Sequence, residues 1–117
     1  MPNTSKSSII TDPSAPPEWI KPHPGEMLRE EYLAPLTMSA SELARQLGVP
    51  ANRVTAILNG DRSVSADTAW RLARFWNTSP DYWMNLQKTH DLSKAWIENG
   101  SQIERDVTPR NQENEAA

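Results

Sequence analysis

Cysteine is absent from this 117-residue sequence, which removes disulfide scaffolds and cysteine-based zinc sites from consideration. Histidine occurs only at His23 and His90, and two isolated histidines do not make a metal centre. Glycine is scarce, four in all, and none belongs to a phosphate-cradling loop. No hydrophobic run reaches the length of a membrane span, and the N-terminus lacks the apolar core of a secretory signal, so no membrane partner is expected and the cytoplasm is the default compartment. A surplus of positive charge is missing too: the formal net charge is −3. With no cysteine nucleophile and no histidine pair at metal-binding spacing, the chain is not expected to be an enzyme or to need a cofactor.

Proline and tryptophan are what the sequence has in quantity. Pro2, Pro13, Pro16, Pro17 and Pro22 interrupt residues 1–22, which read as a flexible arm. Within it, Trp19 and Ile20 are expected to pack back near the first helix, while Ile9 and Ile10 stay unassigned. Residues 98–117 hold five acids against Arg105 and Arg110 and read as a disordered acidic tail. The span between, residues 23–97, is expected to be one all-α domain of five helices. Five tryptophans suit so small a domain, because large aromatics bury much area in a thin core.

The helix signals are local and chemical. Pro24 and Gly25 open a first helix, with Glu26 in its first turn, and Pro35 is expected to end it at Ala34. Ser39 followed by Glu42 is a capping-box signature, and Leu43, Ala44 and Leu47 make one apolar face. Gly48 suits a left-handed stop, and Pro50 suits the first turn of the next helix. That helix turns Val54, Ile57 and Leu58 inward and ends at Gly60. Ser65 and Asp67 start a fourth helix running to about Trp76, with Arg71 and Arg74 toward solvent. Ser79-Pro80-Asp81 starts the fifth, which is expected to break near Asp91 and carry its apolar pattern to Trp96 and Ile97.

The outer face of the third helix has the chemistry of a base reader. Asn52, Thr55 and Asn59 face away from the apolar side, with Arg53 on the flank. Arginine can bond guanine bidentately, asparagine can do the same to adenine, and threonine offers a hydroxyl or a methyl. The basic groups sit in this stretch (Arg45, Arg53 and Arg62 against Glu42 and Asp61), while the acidic surplus lies in the tail. Ser39, Ser41, Gln46 and Arg62 are expected to hold phosphates. Glu30 and Glu31 read as a solvated face.

The run S-x-x-E-L-A-x-x-L-G-V-P-x-x-x-V-T-x-I-L-N-G-x-R, from Ser39 to Arg62, resembles the lambda-repressor-like (Xre) helix-turn-helix family. With HPGEMLREEYLAPL before it and SPDYWMNLQKTHDL after it, the chain resembles HigA-type antitoxins of bacterial toxin–antitoxin modules over roughly His23 to Ala95. The resemblance implies a homodimer on double-stranded, palindromic operator DNA. It also implies a cognate RelE-like toxin that cuts mRNA, and repression of the shared operon. It implies a dimer contact after the helix-turn-helix, placed here at Trp83, Leu86, Leu92 and Trp96. A stand-alone regulator without a toxin, or an adaptor that has lost DNA binding, would carry the same fold.

Overall fold

The computed structural model describes residues 15–110, and these form five helices with no strand among them. Helix α1 begins at Pro24–Met27, continues as a π-helical stretch at Leu28–Leu33 and ends with Ala34–Leu36. Helices α2 (Ala40–Leu47), α3 (Ala51–Leu58), α4 (Ala66–Trp76) and α5 (Pro80–Asp106) follow. No helix of the described residues is long and apolar enough to cross a membrane.

The starts of α2, α4 and α5 are capped by their own serines. Ser39 Oγ accepts the Glu42 N–H at 3.1 Å, and Glu42 Oε1 accepts the Ser39 N–H at 2.9 Å. That bond to the Ser39 backbone holds the Glu42 carboxyl below its ordinary pKa. Ser65 and Ser79 cap α4 and α5 through the N–H groups of Thr68 and Tyr82. Gly48 and Gly60 take the positive φ values of 72° and 79° that stop α2 and α3. Pro50 serves as the N-cap of α3, one position earlier than the sequence implied.

Two helices run further than expected. Pro35 does not end α1. In a regular α-helix its ring would meet the carbonyl four residues back. Here the wider π-helical turn precedes it, closed by the Ala34 N–H on the Arg29 carbonyl, and Pro35 owes no N–H bond. The helix stops at Thr37, which is left-handed at φ 51°. Helix α5 neither breaks near Asp91 nor ends at Ile97, so the beginning of the supposed tail is helical. Lys94–Glu98 and Gln102–Asp106 pairs, at 2.9 and 2.7 Å, support it along its surface. Gly100 lies under the Trp96 ring, where any Cβ would come within 2.8 Å of that ring. Val107 turns extended just before Pro109, and that ends the helix. Residues 111–117 lie outside the described part.

The core is made of Leu28 and Leu33 of α1, Leu43, Ala44 and Leu47 of α2, Val54 and Ile57 of α3, and Ala69, Leu72 and Ala73 of α4, closed by Trp83. Trp83 is 0% exposed, and its indole N–H donates to Thr78 Oγ1 at 2.8 Å. It therefore belongs to the interior and not to a dimer contact. Its ring sits about Tyr32 and Tyr82, with centroids 5.1 and 4.9 Å away. Burial, then hydrogen bonding with Tyr82, pushes the Tyr32 phenol up to about 12. Leu86 packs at the core margin. Leu92, by contrast, is 63% exposed, and Ile97, Ile103 and Val107 are exposed with it. At about 100° per residue, Leu92, Trp96 and Ile103 form one stripe along α5.

The loop after α3 is tied to α5 by a buried side chain that the sequence pattern did not single out. Gln87, 5% exposed, accepts the Val64 N–H at 2.8 Å and donates to Asp91 at 2.9 Å. The arm is tied to α5 as well. Lys21 N–H donates to the buried Ser93 Oγ at 2.8 Å, and the Lys21 carbonyl meets His90 Nδ1 at 2.7 Å. Trp19 and Ile20 are exposed, with the Lys21 ammonium 3.6 Å over the Trp19 ring. Ile9 and Ile10 lie outside the described residues.

Helix α1 meets α3 backbone to backbone. A Cβ on Gly25 would fall on the Ile57 carbonyl and within 2.9 Å of the Leu58 Cα. Gly25→Ala is therefore expected to cost on the order of 1–3 kcal/mol, because backbone must move to admit one methyl. Urea denaturation measures it as a lowered midpoint at unchanged slope.

His23 caps α1 by accepting the Gly25 N–H at Nδ1, 2.9 Å away, with the His90 ring edge-on at 5.0 Å. Burial, then His90, lowers its pKa from the ordinary 6.5, against opposing pulls from Asp91, the Arg62 backbone and Glu26. The folded state thus prefers neutral imidazole, the form whose Nδ1 can accept. A folded value below the unfolded one means stability that is complete above the unfolded pKa and lost as pH falls through the folded one. Between about pH 7 and about pH 5, the wild type should lose more stability than His23→Asn, which keeps an acceptor and does not titrate. Equal losses in the two denaturation series would contradict this role.

Candidate nucleic-acid interface

Helices α2 and α3 cross with Ala44 buried between them, and Val49 N–H closes the turn on the Ala44 carbonyl at 3.0 Å. Burying Val54 and Ile57 fixes which side of α3 faces out. Asn52, Thr55 and Asn59 are all exposed on that outer side, at helical spacing. Thr55 Oγ1 donates its proton to the Ala51 carbonyl at 3.2 Å. What it offers outward is an acceptor and the γ-methyl, which suit an adenine or cytosine amino group or a thymine methyl.

Arg53 does not join this stripe. Its Nη1 lies 3.7 Å from Asp67 Oδ2 on α4, its side chain is 27% exposed, and its Nε is buried without a hydrogen-bond partner. The same Asp67 oxygen takes Arg71 Nε at 2.8 Å. Arg71 in turn donates from Nη1 to the Leu47 carbonyl at 2.9 Å, at the C-terminal end of α2. Arg71 is thus bound into the fold rather than solvated. One carboxylate holds a guanidinium from α3 and another that caps α2.

The remaining sequence-derived residues surround the stripe at two ends. Ser39, Ser41 and Gln46 are exposed on α2, and Arg62 is exposed in the loop after α3. Ser39 accepts within the capping box, which leaves its own hydroxyl proton to donate outward. Arg29 of α1 was not anticipated. Its Nη2 donates to Asn59 Oδ1 at 3.4 Å, a contact spanning 30 residues of sequence, with no periodic signal to reveal it. Among the described residues no group of three or more histidines, cysteines or carboxylates is placed to hold a metal ion.

Residues 28–83 match a family model described as helix-turn-helix. Virulence-associated protein I of Dichelobacter nodosus is 45% identical over 73 residues, covering 62% of this chain and 68% of that protein. Among solved structures, an addiction module antidote protein of a HigA family from Coxiella burnetii is 53% identical with a TM-score of 0.72, over 76% of this chain and 97% of the other. The Pseudomonas aeruginosa antitoxin HigA, solved with the higBA promoter, is 44% identical with a TM-score of 0.74, over 77% and 98%.

Asp67 is solvent-accessible, so its two pairs are screened and each contributes less than about 1 kcal/mol. Double-mutant cycles followed by denaturation should give a larger coupling for Asp67 with Arg71 than with Arg53, in the order of their distances.

Proposed function

From the premise that this chain belongs to the HigA-type antitoxin family of lambda-repressor-like (Xre) helix-turn-helix proteins, we propose that it is an operator-binding autorepressor that neutralises a RelE-like mRNA-cleaving toxin. The observation that carries the DNA half is the exposed stripe of Asn52, Thr55 and Asn59 on α3, set against a buried opposite face. Two copies place two such helices in successive major grooves, with half-sites about 34 Å apart. Asn52 and Thr55 read base edges. Asn59, Ser39, Ser41, Gln46 and Arg62 serve the backbone. Arg53 acts from the flank, through its pair with Asp67.

The second copy meets the first along the outer stripe of α5. Leu92 and Trp96 carry this contact, with Leu86 at its margin and Ile103 further along, while Trp83 is left out because it is fully buried in the core. The relatives solved with DNA support operator binding, and the antitoxin names of the solved relatives support a toxin partner. The compartment of action is the cytoplasm, where both DNA and mRNA are met.

Binding to a duplex from the region upstream of its own gene tests the first half. Asn52→Ala and Thr55→Val should each cost about 1–3 kcal/mol on the operator and leave a scrambled duplex nearly unaffected. Equal losses on both duplexes would remove base reading from these residues. Co-expression with the product of an adjacent small gene tests the second half. Co-purification with relief of growth arrest is the expected result. A neighbour that neither binds nor harms growth would reduce the protein to an operator-binding regulator.

A further inference from the structure

We infer that Arg29, on α1, and Asn59, at the end of the recognition helix, form a two-donor clamp for a DNA backbone phosphate, a contact that comes from outside the helix-turn-helix itself. The inference rests on the operator-binding reading and adds a residue to it.

The argument begins with which arginines are committed. Arg53 and Arg71 share the Asp67 carboxylate. Among the described residues, no carboxylate lies within ion-pair distance of Arg29. The partner it does have is an amide oxygen: Arg29 Nη2 donates to Asn59 Oδ1 at 3.4 Å. An amide whose oxygen is held in this way turns its NH2 group, with two donors, to the other side. The guanidinium keeps its remaining N–H groups as well. The pair therefore presents donors of two kinds and one net positive charge.

Position favours a phosphate over a base. Asn59 is the C-cap of α3, and base edges are read mainly from the other end of a recognition helix. From Asn52 to Asn59 the helix rises about 10 Å, enough to move from the groove floor toward a strand. Arg29 also lines a hollow shared with Thr37, Ser39, Ala40 and Leu58, so its side chain borders the same surface as the start of α2. A cationic side chain and the positive end of α2 thus border one hollow. The contact between the two side chains is long and exposed, and an oxygen anion accepting from both would draw them together.

The geometry depends on Gly25. Arg29 lies one helical turn beyond it, on the same side of α1, and the close approach of Gly25 to Ile57 brings Arg29 within reach of Asn59.

The test is the salt dependence of binding, using the full chain and duplexes from its own upstream region and of scrambled sequence. Arg29→Ala should weaken binding several-fold on both duplexes alike and reduce the steepness of log K against log salt by about 1. Arg29→Lys should keep the wild-type slope, because it keeps the charge. Asn59→Ala should weaken both duplexes alike with little change in slope, and the double variant should lose less than the two singles multiplied. Thermal unfolding of each variant near the wild-type midpoint separates the effect from misfolding. A wild-type slope and affinity for Arg29→Ala would overturn the clamp while leaving operator binding intact. So would a loss confined to one base position, which would make Arg29 a base reader. A wild type that bound neither duplex would overturn clamp and operator reading together.

Discussion

The contact between the backbone of α1 at Gly25 and the last turn of α3 at Ile57 sets the geometry of this protein. A side chain at Gly25 would hold the two helices apart. Its absence lets the start of one helix lie directly on the end of another, and three features follow. His23 can cap α1 while resting beside the loop that leaves α3. Leu28, one turn on, is driven into the core. Arg29 is carried to Asn59. Close packing of this kind holds position to tenths of an ångström, which a reading helix needs, because hydrogen bonds to bases weaken steeply with misplacement.

Helix α3 is short, eight residues, and would not persist alone. Its orientation is imposed from several sides at once: by α1 at its C-terminal end, by Ala44 of α2 along its inner face, by Asp67 of α4 at Arg53, and through Gln87 of α5 on the loop behind it. The polar ties are unequal in kind. Gln87 is buried, and losing it would strand the Val64 N–H away from water, a penalty of about 1–3 kcal/mol. Asp67 is exposed and its pairs are screened, so it tunes side-chain direction more than it holds the fold together.

Helix α5 serves both the domain and what lies beyond it. Its first turns carry Trp83, Gln87, His90 and Ser93, each occupied by a contact within the same chain. From Leu92 onward the aliphatic residues Leu92, Ile97 and Ile103 face outward, and Trp96 is half-buried. A helix of 27 residues extends about 40 Å, longer than the small core can cover. The stripe that remains exposed has the spacing of a helix–helix contact.

The amino-acid sequence by itself determined whatever depends on residues within about one helical turn of each other. The capping box of Ser39 and Glu42, the serine caps of α4 and α5, the glycine stops at Gly48 and Gly60 and the inward faces of α2 and α3 are all of this kind, and the exposed stripe of Asn52, Thr55 and Asn59 follows from them. The extension of α5 was also written locally, in its Lys94–Glu98 and Gln102–Asp106 pairs, but the acidic, polar composition of residues 98–117 outweighed them, and only the fold places the Trp96 ring over Gly100. Tertiary structure alone decided the rest. Trp83 in the core rather than at a surface, Arg53 turned toward Asp67, Arg71 on the Leu47 carbonyl, Gln87 under the Val64 amide and Arg29 at Asn59 all join residues five to thirty positions apart. The physical reason is the same throughout. Backbone conformation answers to near neighbours, whereas the partner of a long side chain is set by where helices cross, and those crossings exist only once the whole core has closed.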